Sequence, residues 1–341
     1  MLRLIDANLN RISEGLRLLE DVARFLVNDA TLSEQLKSLR HELAEDDLSL
    51  QRKLLFARDS AGDVGAFTEV PSEVQRVDLP AIVMANAKRV QESLRVLEEF
   101  AKLPNSTLDS LRFKQARFAL YDLEQKMVSK LLRRDKRIAG LYVIIDTEAL
   151  GGRDEIEVAR KAIGGGAKAI QLRDKHRDKG EILATSIKLR EICSQSEVLF
   201  IVNDYLDIAL ASDADGLHLG QIDLPISAAR RLLPIDKILG CSTTVLSEAL
   251  QAQAEGADYI AVGSIYPTPS KAGARVVGLE TLRQIREAIS IPVVAIGGIN
   301  EGNADAVIEA GADSLAVVSA VLRAEDMEEA ARRLAAKFGG D

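Results

Sequence analysis

Several features are scarce or missing in this 341-residue chain, and each scarcity excludes a class of protein. Tryptophan is absent, and the two cysteines, Cys193 and Cys241, have neither the number nor the spacing of a disulfide framework or a zinc site. No apolar run approaches the length of a membrane-spanning helix, and no cationic and apolar leader opens the chain. The net charge of −8 argues against a nucleic-acid or anionic-membrane partner. Together these features predict a cytoplasmic protein.

Residues 1–135 have the apolar period of helices and carry an internal repeat. Apolar residues recur at three- and four-residue steps over residues 5–26, which indicates one buried helix stripe. A second segment repeats the first at an offset of 78 residues, and the helices that follow echo each other more weakly around Arg40 and Arg117. This pattern predicts an all-α domain built from a duplicated helical hairpin. The matched polar pairs are Asn8 and Asn86, Arg11 and Arg89, and Glu14 and Glu92.

The repeated polar residues have two interpretations. They form either a solvated face of weak ion pairs or a site between the two helices. The turn-rich segment 58–65, which lies between the repeats, has carboxylates and glycines that suit a phosphate or a metal, but also the composition of an ordinary connection. No Walker-type glycine-lysine motif occurs, so the pattern by itself does not indicate nucleotide binding.

The second domain, residues 138–341, alternates short β-rich runs with amphipathic segments. Eight such pairs in about two hundred residues predict a (β/α)₈ TIM barrel, an α/β fold, with a doubly wound sheet as the alternative. The predicted strands are 141–146, 169–174, 199–204, 216–220, 238–242, 259–264, 293–298 and 314–319.

Unusual polar residues follow the second predicted strand. Gln171, Arg173 and Lys175 stand two residues apart, so they point to one face. Two cations and an amide suit a polyanionic ligand attached to a ring with hydrogen-bonding edges. The alternative is a strand-terminal cluster that makes surface ion pairs.

The third, fourth and sixth strands also end in polar groups. Asp204 and Asp223 supply the hard oxygen ligands that Mg²⁺ prefers, although a lone Asp after a strand more commonly caps a helix. Thr268, Ser270 and Lys271 offer two hydroxyls and an ammonium on a proline-stiffened loop, which suits a phosphate or diphosphate better than it suits a plain connection.

The last two strands predict a second anion site. Gly298 follows strand seven, and Val318 and Ser319 follow strand eight, where TIM barrels commonly bind phosphate through backbone N–H groups. One metal-assisted anion site and one backbone anion site predict that two phosphorylated small molecules meet over the mouth of the barrel.

With these residues in place, the segment 138–341 resembles thiamin phosphate synthase, also called thiamine-phosphate pyrophosphorylase. The motifs that carry the resemblance are Gln-Leu-Arg-Asp-Lys at 171–175, Asn-Asp at 203–204, His-Leu-Gly-Gln-x-Asp at 218–223, Gly-x-Ser at 240–242, Pro-Thr-x-Ser-Lys at 267–271 and Gly-Gly-Ile at 297–299. The family joins hydroxymethylpyrimidine diphosphate to a thiazole phosphate with Mg²⁺ and releases diphosphate.

The resemblance also implies roles for individual residues. Arg173, Lys175, Ser242 and Lys271 would be catalytic, and Asp204 and Asp223 would hold the metal. The diphosphate and pyrimidine would contact Gln171, Arg173, Lys175, Asn203, Ser242, Thr268, Ser270 and Lys271, and the thiazole phosphate would contact Gly298, Val318 and Ser319. Thr244 departs from the family because many relatives have His there. A thiazole tautomerase is the alternative enzyme, but it would not need the diphosphate-binding cations.

The implied mechanism needs no strong general base. If diphosphate leaves before the C–N bond forms, the thiazole nitrogen attacks a pyrimidine methyl cation with its own lone pair. The three histidines of the chain fit that expectation, and His218 is expected to pack or to support other residues rather than to shuttle protons.

Residues 1–135 resemble the small helical domain that is fused to some of these synthases and is associated with hydroxymethylpyrimidine phosphate kinase activity. The repeated Asn-x-x-Arg-x-x-Glu-x-x-Arg pattern and the segment 58–65 carry that resemblance. The competing interpretation is a dimerisation module, which would make the protein a homo-oligomer.

Overall fold

The protein is described by a computed structural model over residues 1–44, 47–59, 76–104, 106–268 and 275–339. The chain divides into two compact units, Met1–Arg134 and Asp135–Asp341. Within the described ranges, no helix is long and apolar enough to cross a membrane.

The described residues of the first unit form helices and no strand. Aspartate side chains cap the N-termini of four of its helices, because a carboxylate oxygen accepts the free N–H groups of a first turn. The helices are α1 (Leu2–Asp21), α2 (Ala30–Glu42), α3 (Leu48–Phe56), α4 (Leu79–Phe100) and α5 (Ser110–Leu132), with a π-helical turn at Val22–Leu26.

The two repeats form the core of this unit. Helices α1 and α4 pack against each other through the apolar stripe seen in the sequence, with Leu16 and Leu94 fully buried. Their approach is close enough that a Cβ on Gly15 would lie 2.4 Å from Val90 Cγ2. Helices α2 and α5 follow α1 and α4 in the same order, and α3 is the additional helix of the first half.

The second unit is a closed barrel of eight parallel strands in sequential order, which confirms the predicted (β/α)₈ fold. The strands are β1 (Gly140–Asp146), β2 (Ala169–Arg173), β3 (Leu199–Asn203), β4 (Gly216–Leu219), β5 (Ile238–Thr243), β6 (Tyr259–Gly263), β7 (Val293–Ile296) and β8 (Ser314–Val317). The helices are α6 (Glu155–Gly164), α7 (Lys179–Gln195), α8 (Leu206–Ala211), α9 (Ile226–Leu232), α10 (Leu246–Ala254), α11 (Gly278–Ala288), α12 (Ala304–Glu309), α13 (Ser319–Leu322) and α14 (Met327–Ala335).

Strand alternation divides the apolar residues of the barrel into two cores. On β1, Val143 and Ile145 pack outward against the helices, whereas Tyr142 and Ile144 point into the barrel. The inner core is small and contains two tyrosines, Tyr142 and Tyr259, among aliphatic side chains. Because the strands are parallel, all eight carboxyl ends open at one face, and the polar residues that follow the strands collect there.

Candidate active site

Arg173 is held at the end of β2 by a buried carboxylate. It is in register with Asp146 on β1, and its Nη1 donates to Asp146 Oδ2 at 2.5 Å. Asp146 is buried, whereas about a quarter of the Arg173 side chain is exposed. The ion pair therefore fixes one edge of the guanidinium and leaves part of the group open at the mouth. Asp146 was not predicted as a site residue, and its one sequence signal is its position as the last residue of β1.

Lys175 and the two predicted metal ligands come together at the ends of β2, β3 and β4. Lys175 Nζ lies 3.0 Å from Asp204 Oδ2. Asp223 is in the loop after β4, where its Oδ2 accepts from Gly220 N at 2.7 Å. Burial raises the pKa of Asp204, and a hydrogen bond with the Asp223 carboxyl raises it further, while Lys175 opposes the rise. Asp204 thus lies between a second carboxyl group and a lysine, an arrangement that favours an additional cation.

A chain of hydrogen bonds runs below this group inside the barrel. Gln171 Nε2 donates to Tyr142 Oη at 2.6 Å, and Tyr142 Oη lies 3.2 Å from Tyr259 Oη. His218 then bridges Tyr259 Oη, 3.0 Å from its Nδ1, and Ser242 Oγ, 2.9 Å from its Nε2. The supporting position expected for His218 is therefore observed. The two tyrosines were not singled out from the sequence, because a tyrosine inside a strand has the pattern of an ordinary core residue.

The structure describes some of the remaining predicted residues and not others. Asn203 ends β3 in register with His218 and is buried. Thr268 lies after β6 and is half-buried. Ser270 and Lys271 lie outside the described residues. Thr244, whose role was open, donates through N and Oγ1 to Glu248 Oε2 at 2.6 and 3.2 Å, so it ties the end of β5 to α10.

The predicted second anion site follows two paired strands. Gly298 comes after β7 with a φ of +68°, and a Cβ there would lie 2.6 Å from Pro267 O. Only glycine fits that combination of left-handed backbone and close approach. Val318 follows β8 and precedes Ser319, the first residue of the single-turn helix α13. The structure brings these three residues to the same end of the barrel as Arg173 and Lys175.

In the helical unit, the repeated asparagines make hydrogen bonds within their own helices, and the site between the helices stays a prediction. Asn8 Nδ2 donates to Leu4 O at 2.8 Å, and Asn86 Nδ2 makes the equivalent bond to Ile82 O at 2.9 Å. The contact between α1 and α4 is apolar instead, because the buried stripe occupies the facing sides of both helices. The other repeated polar residues are at least partly exposed to solvent, and they are Arg11, Glu14, Arg89 and Glu92.

The weaker sequence repeat around Arg40 and Arg117 places an ion pair inside each helical hairpin. Arg40 Nε donates to the buried Glu20 at 3.0 Å, and Arg117 Nη2 donates to the buried Glu98 at 2.9 Å. These pairs occupy equivalent places in the two repeats and connect α1 to α2 and α4 to α5. The polar residues of the echo therefore hold each hairpin together.

One cavity of about 520 Å³ belongs to the first repeat alone. It lies between α1, α2 and α3, and its wall includes an ion pair in which Arg58 Nε donates to Oδ2 of the buried Asp6 at 2.7 Å. Arg52 and His41 add positive or hydrogen-bonding groups to this wall. The second repeat has Met84 at the place of Asp6, so the duplication has diverged here.

Comparisons with known proteins agree with this geometry. Residues 141–321 match the family model described as thiamine monophosphate synthase, and residues 3–126 match the ThiD2 family. A thiamine-phosphate synthase from Synechocystis is 42% identical over 97% of this chain and 94% of its own length, and one from Gloeobacter violaceus is 41% identical over 96% and 93%. The structure of a thiamine phosphate pyrophosphorylase from Pyrococcus furiosus is 44% identical, covers 61% of this chain and 98% of its own, and superposes with a TM-score of 0.56. The chain belongs to the thiamine-phosphate synthase family.

Proposed function

We propose that the barrel condenses 4-amino-2-methyl-5-hydroxymethylpyrimidine diphosphate with 4-methyl-5-(2-phosphoethyl)thiazole, or with the carboxylate form of that thiazole. The products are thiamin monophosphate and diphosphate, with carbon dioxide released as well when the carboxylate form reacts. The observation that carries the proposal is the group at the ends of β2, β3 and β4, where Lys175, Asp204 and Asp223 meet beside the Arg173–Asp146 pair. Fixed cations next to two close carboxylates suit a metal-bound diphosphate.

The two carboxylates fit Mg²⁺ as the cofactor. Among the described residues no group of three or more His, Cys, Asp or Glu side chains gathers in one place, so an all-protein metal cage is not what this part of the chain offers. Mg²⁺ is commonly held by one or two carboxylates, with waters and phosphate oxygens completing its coordination. Asp204 and Asp223 would hold it, and it would supply positive charge to the leaving diphosphate.

The protein residues position the substrates and neutralise the charge of the leaving diphosphate. Arg173 and Lys175, with Lys271 from the part of the β6–α11 connection outside the described residues, offset the negative charge that grows on the departing diphosphate. Gln171, Asn203 and Ser242 orient the pyrimidine ring. No side chain needs to remove a proton from the attacking thiazole nitrogen, because that nitrogen uses its own lone pair.

Gly298, Val318 and Ser319 would bind the thiazole phosphate through backbone N–H groups after β7 and β8. The absence of a Cβ at position 298 lets the main chain approach an anion closely. Thr268, Ser270 and Lys271 would hold the diphosphate, as their hydroxyls and ammonium suggest.

The test is a product assay on the purified full chain. With Mg²⁺, pyrimidine diphosphate and thiazole phosphate, we expect thiamin monophosphate and diphosphate, detected by mass spectrometry and by a diphosphate-release assay. Conversion of the thiazole without any pyrimidine would favour the tautomerase alternative. No product from the complete mixture would contradict the proposal.

A second candidate function concerns the helical unit, which would phosphorylate the pyrimidine monophosphate and so supply the barrel's substrate. The favouring observation is the cavity with the Asp6–Arg58 pair, since the second repeat does not reproduce it. Its apolar wall with cationic groups suits a ring that carries a phosphate.

The same assay tests this function when pyrimidine monophosphate and ATP replace the diphosphate. Product that disappears in Asp6→Asn, while synthesis from the diphosphate continues, would place the kinase at this cavity. Product from the diphosphate alone would leave the helical unit without this activity, and sedimentation analysis of the full chain would then test the dimerisation alternative.

A further inference from the structure

Five side chains form one continuous hydrogen-bonded chain across the inside of the barrel. In order they are Gln171, Tyr142, Tyr259, His218 and Ser242, contributed by β2, β1, β6, β4 and β5. The four heavy-atom distances lie between 2.6 and 3.2 Å. Both ends, Gln171 and Ser242, belong to the residues that we propose contact the pyrimidine. The hydrogen-bonded chain therefore couples two separate contacts of the same substrate ring.

The barrel is shaped to admit this chain of side chains. The Tyr259 ring crosses from β6 over Gly240 of β5, where a Cβ would lie only 2.0 Å from the ring carbon Cζ. Tyr259 then stacks on His218, with ring centroids 5.6 Å apart, and meets Tyr142 edge-on at 6.3 Å. Any side chain at position 240 would displace the central phenol. The glycine, two aromatic contacts and four hydrogen bonds thus specify one arrangement of the rings.

Each phenol has a single proton, which limits the directions that these hydrogen bonds can take together. Burial raises the pKa of both Tyr142 and Tyr259, which keeps them neutral. Tyr142 accepts from Gln171 Nε2, which leaves its own proton available for Tyr259. When that proton goes to Tyr259, Tyr259 in turn donates to His218 Nδ1, and the histidine keeps its proton on Nε2 for Ser242 Oγ.

The two ends of the hydrogen-bonded chain then offer a ligand opposite groups, an acceptor at one end and a donor at the other. Gln171 has used an N–H, and within the described residues its Oε1 receives no hydrogen bond, so that oxygen is an acceptor for a ligand. In this arrangement Ser242 accepts from His218, so its own O–H is a donor for a ligand. If the amide of Gln171 were reversed, every bond would reverse and both ends would change character.

We propose that this chain of hydrogen bonds makes the site specific for a 4-aminopyrimidine over a 4-oxopyrimidine, with Tyr142, Tyr259 and His218 as positioning residues. The inference rests on the proposed function. An aminopyrimidine presents an N–H donor beside an unprotonated ring nitrogen, which matches the acceptor Gln171 and the donor Ser242. The oxo ring presents an acceptor beside a ring N–H, so it fits only if all four hydrogen bonds reverse together. Mismatched buried polar groups are costly, which is the basis of strong discrimination.

The first test compares two substrates in one enzyme. We would measure kcat/KM for the aminopyrimidine diphosphate and for its 4-oxo analogue, with wild type and Tyr259→Phe. The wild type should prefer the amino substrate by about 10²-fold or more, and Tyr259→Phe should reduce that preference about tenfold, because Ser242 and Gln171 can then reorient independently. Tyr121→Phe, which removes a hydroxyl from the helical unit, is the matched control and should leave the ratio unchanged.

The ratio of the kcat/KM values for the two substrates does not depend on how much of a variant is folded. An unchanged ratio in Tyr259→Phe would overturn the inference while the synthase activity stood. If that variant does not fold, Tyr142→Phe breaks the same chain at its next hydroxyl. A wild-type protein that makes no product from the amino substrate would instead remove the proposed function, and this inference with it.

The second test needs no activity. The protein has three histidines, so a sample labelled with ¹⁵N-histidine gives few signals, and His218→Gln identifies those of His218. We expect the neutral tautomer with the proton on Nε2 and a hydrogen-bonded Nδ1. A proton on Nδ1 in the wild type would mean the opposite direction of the hydrogen bonds and would overturn the assignment of acceptor and donor.

Discussion

The two units of this protein balance their carboxylates in different ways. In the helical unit, Glu20 and Glu98 each have an arginine from the next helix, and the second glutamate also accepts from Arg95 at 2.9 Å. In the barrel, Asp204 and Asp223 approach each other, and Lys175 forms an ion pair with Asp204. Removing one partner of a balanced buried pair destabilises a fold, whereas a carboxylate whose charge the protein does not fully balance is a candidate ligand site. The comparison suggests where chemistry lies: at carboxylates whose counter-charge the protein does not fully supply.

Asp204→Asn should give the largest effect. It removes one proposed metal ligand and one negative charge, so we expect kcat/KM of thiamin phosphate synthesis to fall about 10²- to 10³-fold. The fold should not weaken, because the substitution also removes the repulsion from Asp223. Steady-state kinetics and thermal unfolding with and without Mg²⁺ measure both effects.

Asp207→Asn is the matched control for that change. Asp207 lies three residues further along and makes an exposed ion pair with Lys179 at 2.6 Å. Its replacement should leave both kinetics and the response to Mg²⁺ unchanged. Retained activity in Asp204→Asn would remove the contrast between the two units, because Asp204 would then be as structural as Glu98.

Glu98→Gln should show the opposite behaviour. It leaves Arg117, which is 13% exposed, without its buried counter-charge. We expect the free energy of unfolding of the helical unit to fall by about 3 kcal/mol, while synthesis from the pyrimidine diphosphate stays within about twofold. Scanning calorimetry suits this measurement, since the chain has no tryptophan.

Glu99→Gln, at the adjacent and exposed position on α4, controls for the loss of one charge and should change little. Should Glu98→Gln abolish synthesis instead, the two units would not be energetically separate in the way their internal ion pairs suggest.

A substitution at Gly298 tests the second anion site separately from the first. Gly298→Ala introduces a Cβ at a left-handed backbone position, 2.6 Å from Pro267 O. We expect KM for the thiazole phosphate to rise about tenfold, with KM for the pyrimidine diphosphate unchanged. Gly151→Ala is the control for backbone strain without steric crowding. Gly151 also has a positive φ, +62°, but its Cβ position is surrounded by open space. Equal increases in both KM values would argue against a dedicated thiazole phosphate site.

The barrel could be predicted from the sequence because its signal is local and repeated eight times. Each strand has its own apolar run, and parallel strands place their carboxyl ends at one face, so Lys175, Asp204 and Asp223 could be expected near one another. The strand boundaries differ by a residue or two; for example, the eighth strand ends at Val317 because Ser319 already begins a helix.

The features that the sequence did not reveal depend on partners that are distant along the chain. Tyr142 and Tyr259 are 117 residues apart, and their contact requires the gap at Gly240. In the helical unit, the polar repeat was equally visible but was open to two interpretations. The apolar stripe and the polar repeat compete for one interface, and burial of Leu16 and Leu94 is worth more than a polar contact there.

The smallest effect is expected at Asp174, a barrel carboxylate that is balanced by the protein itself. Burial alone would raise its pKa, but the N–H groups of His176 and Arg177 and the Arg177 guanidinium lower it below the ordinary 3.8. A lowered pKa in the folded state means that the stabilisation is present above 3.8 and is lost as the pH falls through the folded value. Asp174→Asn should therefore cost about 1 kcal/mol at neutral pH.

The pH dependence of stability separates Asp174 from Asp204. Urea unfolding of wild type and Asp174→Asn should show a difference that shrinks as the pH falls below 3.8, since both proteins then have a neutral group at this position. Asp204, whose pKa is raised, should act in the other direction and weaken the fold as the pH rises above 3.8 in the absence of Mg²⁺. If the free energy of unfolding changed with pH in the same way in Asp174→Asn and Asp204→Asn, the protein would balance the two aspartates alike. The distinction between structural and ligand-binding carboxylates would then fail within the barrel.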